Sequence, residues 1–200
     1  MCVICISNKG VRQPNAKEIM DMWTTNPHGG GYMYLKGNDV VIKKGFMTYQ
    51  AYMTSIAEER FTQDDIVIYH LRISTQGGIN QEMTQPFAYT NELERTKELD
   101  AVTKLGIAHN GIIPLTSYKD KEYSDTAHFI AEYLPLIVRK RSELYKPETQ
   151  KIISELIQSK MAFLDSQGNI TLIGSFTEDK DGLIYSNMHH VRNYKYYSFK

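Results

Sequence analysis

The residue whose type and position most clearly offer chemistry is Cys2, which follows Met1 directly. Methionine aminopeptidases remove an initiating Met when the next residue is small, so we expect a mature chain that begins at Cys2. Such a residue carries a thiol and a free α-amine, with ordinary pKa values near ~8.5 and ~7.7–8.0. A terminal amine can act as the general base for its own side chain. Cys2 is therefore a candidate nucleophile, against the alternative that a small buried residue occupies this position.

The composition narrows the class of protein around this residue. With 200 residues, 42% of them hydrophobic and 23% charged, the chain suits one domain over residues 1–200. The 23 basic and 23 acidic residues cancel, which argues against a nucleic-acid or membrane-surface partner. No apolar run is long enough to span a membrane, and the N-terminus lacks the basic region of a signal peptide. With two cysteines, we expect a cytoplasmic protein.

The elements that must position Cys2 are predicted as strand hairpins and pairs of helices. Strands are predicted at 2–7, 32–36, 40–44, 66–73, 104–109, 112–113, 161–165, 170–175, 183–186 and 194–199. Helices are predicted to begin at Asn15, Thr48, Ser124 and Pro147. Asn110-Gly111 is interpreted as a hairpin turn, and 90–101 as a surface excursion. Because the pattern lacks regular β-α-β alternation, it favours an α+β fold of antiparallel sheets covered by helices.

Five short segments carry groups that would suit a site around a nucleophilic cysteine. They are Cys2, Asn26–Gly31, His70–Gly77, Ala108–Ile112 and Ser124–Thr126. In this order and spacing they resemble the class II glutamine amidotransferases, the glutaminase family with an N-terminal cysteine. The resemblance runs from Cys2 to about residue 135, and Tyr185-Ser186-Asn187 resembles the closing strand of some short members. It implies a four-layer αββα sandwich of antiparallel sheets, the N-terminal-nucleophile hydrolase fold.

The resemblance implies a reaction for the first group of residues. Cys2 would attack the side-chain amide of glutamine and form a γ-glutamyl thioester, which water then resolves to glutamate. The Asn110 side-chain amide and the Gly111 backbone N–H would hold the oxyanion. One such donor is typically worth about 10²–10³ in rate. No metal and no cofactor are implied.

The resemblance also implies a binding site for the amino-acid end of the substrate. Arg72 would grip the α-carboxylate, since a guanidinium binds a carboxylate through two parallel hydrogen bonds. Asp125 would hold the α-ammonium, and Thr75 and Gly77 would line the same pocket. The alternatives are a structural salt bridge for Arg72 and a favourable helix N-terminal charge for Asp125. Gly29–Gly31 resembles the family's glycine-containing turn, where backbone passes close to the nucleophile.

Two departures leave the substrate open. This chain has Gln76 where the family usually has His, and His28 where it usually has Asp. Glutamine cannot become a cation, so another γ-glutamyl amide is an alternative substrate. A non-catalytic binding module that retains the fold is a second alternative. At 200 residues the chain suffices for the glutaminase part, so ammonia is either the final product or passes to a separate synthase subunit.

Two further patterns have competing explanations. Cys2-Val3-Ile4-Cys5 is formally a Cys-x-x-Cys motif, which raises a redox or zinc site. In a strand these two positions face opposite sides, and no further Cys or spaced His pair completes four zinc ligands. The tail from His189 to Tyr197 interleaves basic and aromatic residues, which suits a partner or nucleic-acid surface as well as an edge strand.

Overall fold

The computed structural model describes residues 1–74, 78–114 and 122–191, so Thr75, Gln76, Gly77 and the predicted strand 194–199 lie outside the described residues. Its strands, in chain order, are β1 Val3–Ser7, β2 Gly30–Lys36, β3 Asp39–Phe46, β4 Val67–Leu71, β5 Phe87–Ala88, β6 Asp100–Thr103, β7 Leu105–Asn110, β8 Lys160–Asp165, β9 Ile170–Ile173, β10 Thr177–Glu178 and β11 Ile184–Tyr185. They form a seven-stranded sheet, β10-β11-β1-β4-β2-β3-β6, and a four-stranded sheet, β5-β7-β8-β9. The described pairings are antiparallel, which confirms the α+β class.

Four of the five α-helices that the structure describes begin at or next to a residue predicted to start one. The five are α1 Ala16–Thr25, α2 Tyr49–Glu59, α3 Asp125–His128, α4 Leu134–Ile137 and α5 Pro147–Ile157, with a π-helical turn Phe129–Tyr133 joining α3 to α4. Short 3₁₀ helices span Leu93–Lys97 and Arg141–Tyr145. The side chains of Asn15, Thr48 and Ser124 each accept a backbone N–H from the first turn of their helix. These bonds satisfy donors that a helix start leaves without an internal partner.

Alternation along the strands divides the apolar side chains between two faces of each sheet. On β1, Ile4 and Ile6 join a cluster with Ala108, Ala162 and Leu164 of the four-stranded sheet, so the two sheets share an apolar interior. The intervening side chains of the seven-stranded sheet pack with α1 and α2. The other face of the four-stranded sheet packs with α3, α4, the π-helical turn and α5.

The structure corrects two strand predictions. Strand β7 pairs with β5 and β8, while 112–113 form no strand, so Asn110-Gly111 is not a hairpin turn. The chain leaves the sheet there because Ile113 is buried and its N–H donates to Asp125 Oδ2 at 2.7 Å. The charged segment 90–101 also contains the start of β6, which pairs with β3 at the sheet edge.

No helix among the described residues has both the length and the apolar character that crossing a bilayer requires.

Candidate functional site

The Cys2 side chain lies beside the end of β4. Val3 pairs with Leu71, so the residue before β1 meets the segment that follows β4. The Cys2 Sγ accepts the Ile73 N–H at 3.4 Å and lies 3.5 Å from the Ile73 carbonyl oxygen, to which it can donate. Only 9% of Cys2 is exposed. The thiol is therefore held against one backbone segment, with a small part of its surface open.

Burial is the largest influence on the acidity of this thiol. It raises the pKa of Cys2, because an ionised sulfur loses its hydration. The Ile73 backbone hydrogen bond, the Arg72 charge and the terminal ammonium of Met1 oppose that increase in the pKa. The positive groups nearby are thus placed to favour the thiolate, but burial outweighs them while Met1 is present.

Gly111 follows directly on Asn110, the last residue of β7, and its position requires glycine. Its φ is +154°, and a Cβ built there would lie 2.3 Å from the Cβ of Ser159. Real Cβ atoms do not approach so closely, and L side chains rarely adopt such a φ. The backbone after Asn110 therefore passes Ser159 at a distance that only glycine permits.

A cavity of about 310 Å³ brings the three predicted catalytic residues together. Its volume lies at the low end of the about 300–1,000 Å³ typical of small-molecule sites. The described residues that line it are Met1, Cys2, Ile73, Asn110, Gly111, Ile112, Gln158, Ser159 and Lys160. Cys2, Asn110 and Gly111 thus line one small cavity, although Cys2 and Asn110 are far apart in sequence.

Ser186 connects β1, the strand that follows Cys2, to Asn110, a contact that was not predicted from the sequence. Its Oγ accepts the Ile4 N–H at 2.9 Å and an Asn110 Nδ2–H at 2.8 Å. Asn187 Nδ2 donates to the Cys2 carbonyl oxygen at 2.7 Å. The resemblance of Tyr185-Ser186-Asn187 to a closing strand drew attention to this segment, but it assigned no function to Ser186 or Asn187. Ser186 and Asn187 therefore connect the part of the candidate site around Cys2 to the part around Asn110.

Arg72 and Asp125 are buried near the cavity but are not among its described lining residues. Burial lowers the pKa of Arg72, while the charges of Cys2 and Asp125 raise it. The Asp125 carboxylate accepts N–H groups from Ile113 and Thr126, at 2.7 and 2.8 Å. The charges of Cys2 and Asp125 thus both favour the protonated, charged form of Arg72. The other two predicted binding residues, Thr75 and Gly77, lie outside the described residues.

The glycine segment Gly29–Gly31 passes close to β3, to β4 and to the residues just before β5, and its approach to Cys2 stays a prediction. A Cβ on Gly30 would lie 2.6 Å from Leu71 Cδ2 and 2.9 Å from the His70 carbonyl oxygen. The preceding His28 donates its N–H to the Arg72 carbonyl and accepts the Ser74 N–H through Nδ1, both at 3.0 Å. This segment therefore positions the backbone on both sides of Arg72.

Two buried histidines connect the sheets and the cavity wall. His70 Nε2 bonds to the His109 carbonyl oxygen at 3.0 Å, across the interior between the sheets. His109 itself lies between Thr126 Oγ1, at 2.8 Å, and Ser159 Oγ, at 2.7 Å. Burial lowers the pKa of His70 to about 3 and that of His109 to about 4. Both imidazoles are therefore neutral near pH 7 and act as fixed hydrogen-bonding groups.

We expect the free energy of unfolding to fall as the pH decreases from about 6.5 towards about 4. The unfolded chain binds more protons in that range, because the folded-state pKa values of His70 and His109 are depressed. A His70→Gln variant keeps an amide N–H for the His109 carbonyl and should show a shallower dependence. Denaturant titrations at several pH values measure this, with the exposed His189→Gln as control. A slope identical in wild type and His70→Gln would contradict the assignment.

The two cysteines of the Cys-x-x-Cys motif lie in different surroundings. Cys2 lines the cavity, whereas Cys5 is fully buried in the cluster beneath α1 and α2. Among the described residues, the one group of three potential metal ligands is Glu18, Asp179 and Asp181, and it includes neither cysteine. The structure therefore gives no support to a shared redox or zinc site at this motif.

Comparison with protein-family models and with curated sequences identifies no relative of this chain. A scan against models of protein families finds no match, and a search of curated protein sequences finds no significant similarity.

Proposed function

We propose that this protein is an N-terminal-nucleophile amidohydrolase that releases ammonia from the side-chain amide of glutamine. The observation that carries the proposal is the shared cavity, which Cys2, Asn110 and Gly111 line together. A nucleophile and oxyanion donors at one small site are the groups that acyl transfer from an amide requires.

The packing of the two sheets supports the fold that this proposal implies. One apolar cluster lies between the sheets, and two others join their outer faces to different sets of helices. We propose that these contacts correspond to a four-layer αββα sandwich of the N-terminal-nucleophile hydrolase type. Cys2 precedes a strand of one sheet, and Asn110 ends a strand of the other, so the site lies where the two sheets meet.

The first half of the reaction forms a thioester. Once the residue before Cys2 is removed, the free α-amine takes the thiol proton, and the sulfur attacks the amide carbon. The carbonyl π electrons move to oxygen, where the Asn110 amide and the Gly111 N–H stabilise the negative charge. The protonated amine then gives its proton to the amide nitrogen. The C–N bond breaks, ammonia leaves, and a γ-glutamyl thioester remains on Cys2.

Water completes the reaction by the reverse sequence of proton transfers. The α-amine removes a proton from water while the water oxygen attacks the thioester carbon. The Asn110 and Gly111 donors hold the second oxyanion. Collapse of this intermediate breaks the C–S bond and releases glutamate. The sulfur regains a proton from the amine, which restores the starting state. The balance needs no oxidant and no metal.

The amino-acid end of the substrate is assigned to the neighbouring charged residues. We propose Arg72 for the α-carboxylate and Asp125 for the α-ammonium, with Thr75 and Gly77 completing the pocket. The mutual electrostatic influence of Arg72 and Asp125 supports this pairing, because the two ends of an amino acid carry opposite charges. Gln76 and His28 allow another γ-glutamyl amide as an alternative substrate. A separate synthase subunit is the proposed recipient of ammonia where hydrolysis is not the final step.

Labelling with a glutamine analogue that carries a diazoketone in place of the amide tests the proposal. We expect intact mass to show an N-terminal Cys2, and peptide mapping to place the label on its sulfur. Cys5 should remain unlabelled, because it is fully buried. Active protein that retains a residue before Cys2 would contradict the mechanism, since the base would then be an amide. Glutamine binding without labelling or turnover would favour the non-catalytic module.

A further inference from the structure

Lys160 is the one charged side chain among the described residues that line the cavity. It is the first residue of β8 and pairs directly with Asn110 of β7. Directly opposed residues of antiparallel strands project to the same face, with Cβ atoms about 4.5–5.5 Å apart. That face carries Ala108 and Ala162 and is turned towards the other sheet. The Lys160 side chain therefore lies beside that of Asn110, on the face of the four-stranded sheet that is turned towards Cys2.

The ammonium group is held in place by the same residue that holds Asn110. Lys160 Nζ donates to the Ser186 carbonyl oxygen, while the Ser186 hydroxyl accepts from Asn110 Nδ2. A lysine ammonium has three N–H donors, so this bond fixes the group and leaves others for a ligand. Asn110 Oδ1 is buried without a hydrogen-bond partner among the described residues.

The positive charge of Lys160 beside Asn110 suits one step of the proposed reaction. Negative charge develops on the substrate oxygen that Asn110 and Gly111 hold, and an ammonium fixed nearby stabilises it without reorganisation. In a confined site such attraction is much stronger than in water. Arg72 is not among the described residues that line the cavity, whereas Lys160 is, so the two cations have separate places.

We propose that Lys160 is a further catalytic residue that stabilises the oxyanion together with Asn110 and Gly111. The biological meaning of this role rests on the proposed amidohydrolase function. The role also makes a chemical prediction that does not require glutamine as the substrate. Any attack by Cys2 that forms an oxyanion should depend on Lys160, while an attack that forms none should not.

The test compares two reactions of the same sulfur in Lys160→Met. Acylation by p-nitrophenyl acetate passes through a tetrahedral oxyanion, whereas alkylation by iodoacetamide is a direct displacement without one. We expect acylation of Cys2 to slow about 10–100-fold, somewhat less than the loss of a direct donor, and alkylation to stay at the wild-type rate. Lys160→Arg should recover part of the acylation rate. Lys151→Met, a variant of an exposed lysine on α5, is the matched control, and Cys2→Ala gives the background.

The outcomes separate this inference from the proposed function. Unchanged acylation, or equal losses in both reactions, would overturn the oxyanion role of Lys160. A raised KM for glutamine with normal acylation would likewise overturn it, by assigning the lysine to the substrate carboxylate. Glutamine turnover by the wild type is measured separately. Its absence would refute the proposed glutaminase, while the ratio of acylation to alkylation would still decide the role of Lys160.

Discussion

Replacing Cys2 with alanine is expected to reduce ammonia release from glutamine to the background rate. The variant removes the proposed nucleophile, and removing the nucleophile of a serine protease lowers kcat by about 10⁶-fold. The backbone at this position should stay in place, because Asn187 bonds to the Cys2 carbonyl and β1 pairs on both sides. Ammonia release, measured by a coupled assay, reports the loss, and the melting temperature reports that the fold is retained.

Cys5→Ala is the matched control for this experiment. Cys5 is fully buried beneath α1 and α2 and does not line the cavity, so its variant should keep glutamine turnover at a small cost in stability. Serine at position 2 should be nearly as inactive as alanine, because a hydroxyl ionises far less readily than a thiol. Turnover by Cys2→Ala equal to that of the wild type would remove Cys2 from the reaction.

Gly111→Ala is expected to impair both stability and catalysis. The new methyl group would meet Ser159 Cβ at 2.3 Å, and φ at +154° is strained for alanine. Overpacking and backbone strain together should lower the free energy of unfolding by about 2–4 kcal/mol. Relief of the clash must move the Gly111 N–H away from the oxyanion position, which should cost about 10²-fold in kcat. Denaturant titration and steady-state kinetics measure the two effects.

Gly10→Ala separates the backbone conformation from the clash. Gly10 also has a positive φ, +87°, but a Cβ there has no neighbour within 4 Å. This control should lose about 1 kcal/mol from strain and should keep its activity. A Gly111→Ala protein that behaves like Gly10→Ala in both measurements would contradict the close approach to Ser159 and the role of the Gly111 N–H.

Local signals in the sequence were sufficient for many of the elements. Asn15, Thr48 and Ser124 start helices because a short polar side chain can satisfy the first free N–H groups, whatever the rest of the chain does. The predicted strands 32–36 and 40–44 likewise form the antiparallel pair β2 and β3, joined by a short turn. These features depend on a few adjacent residues, and the sequence therefore contains the information directly.

The segments that were predicted wrongly are those whose structure depends on strands far away in the sequence. Asn110-Gly111 has the composition of a hairpin turn, but β8 takes the place beside β7 that residues 112–113 were predicted to occupy. The segment 90–101 was predicted as a surface excursion, yet its last two residues begin β6, which completes a sheet edge against β3. Turn composition and local polarity do not specify which strand will lie alongside.

The candidate site divides in the same way. The sequence by itself indicated Cys2, Asn110 and Gly111 as reacting groups, through residue type, order and resemblance to a family. Only the tertiary structure placed these groups around one cavity, joined Asn110 to Ser186, and set Lys160 opposite Asn110. The physical reason is strand register. Side chains alternate with a period of two, so a shift of one residue between β7 and β8 would turn Lys160 away from the cavity.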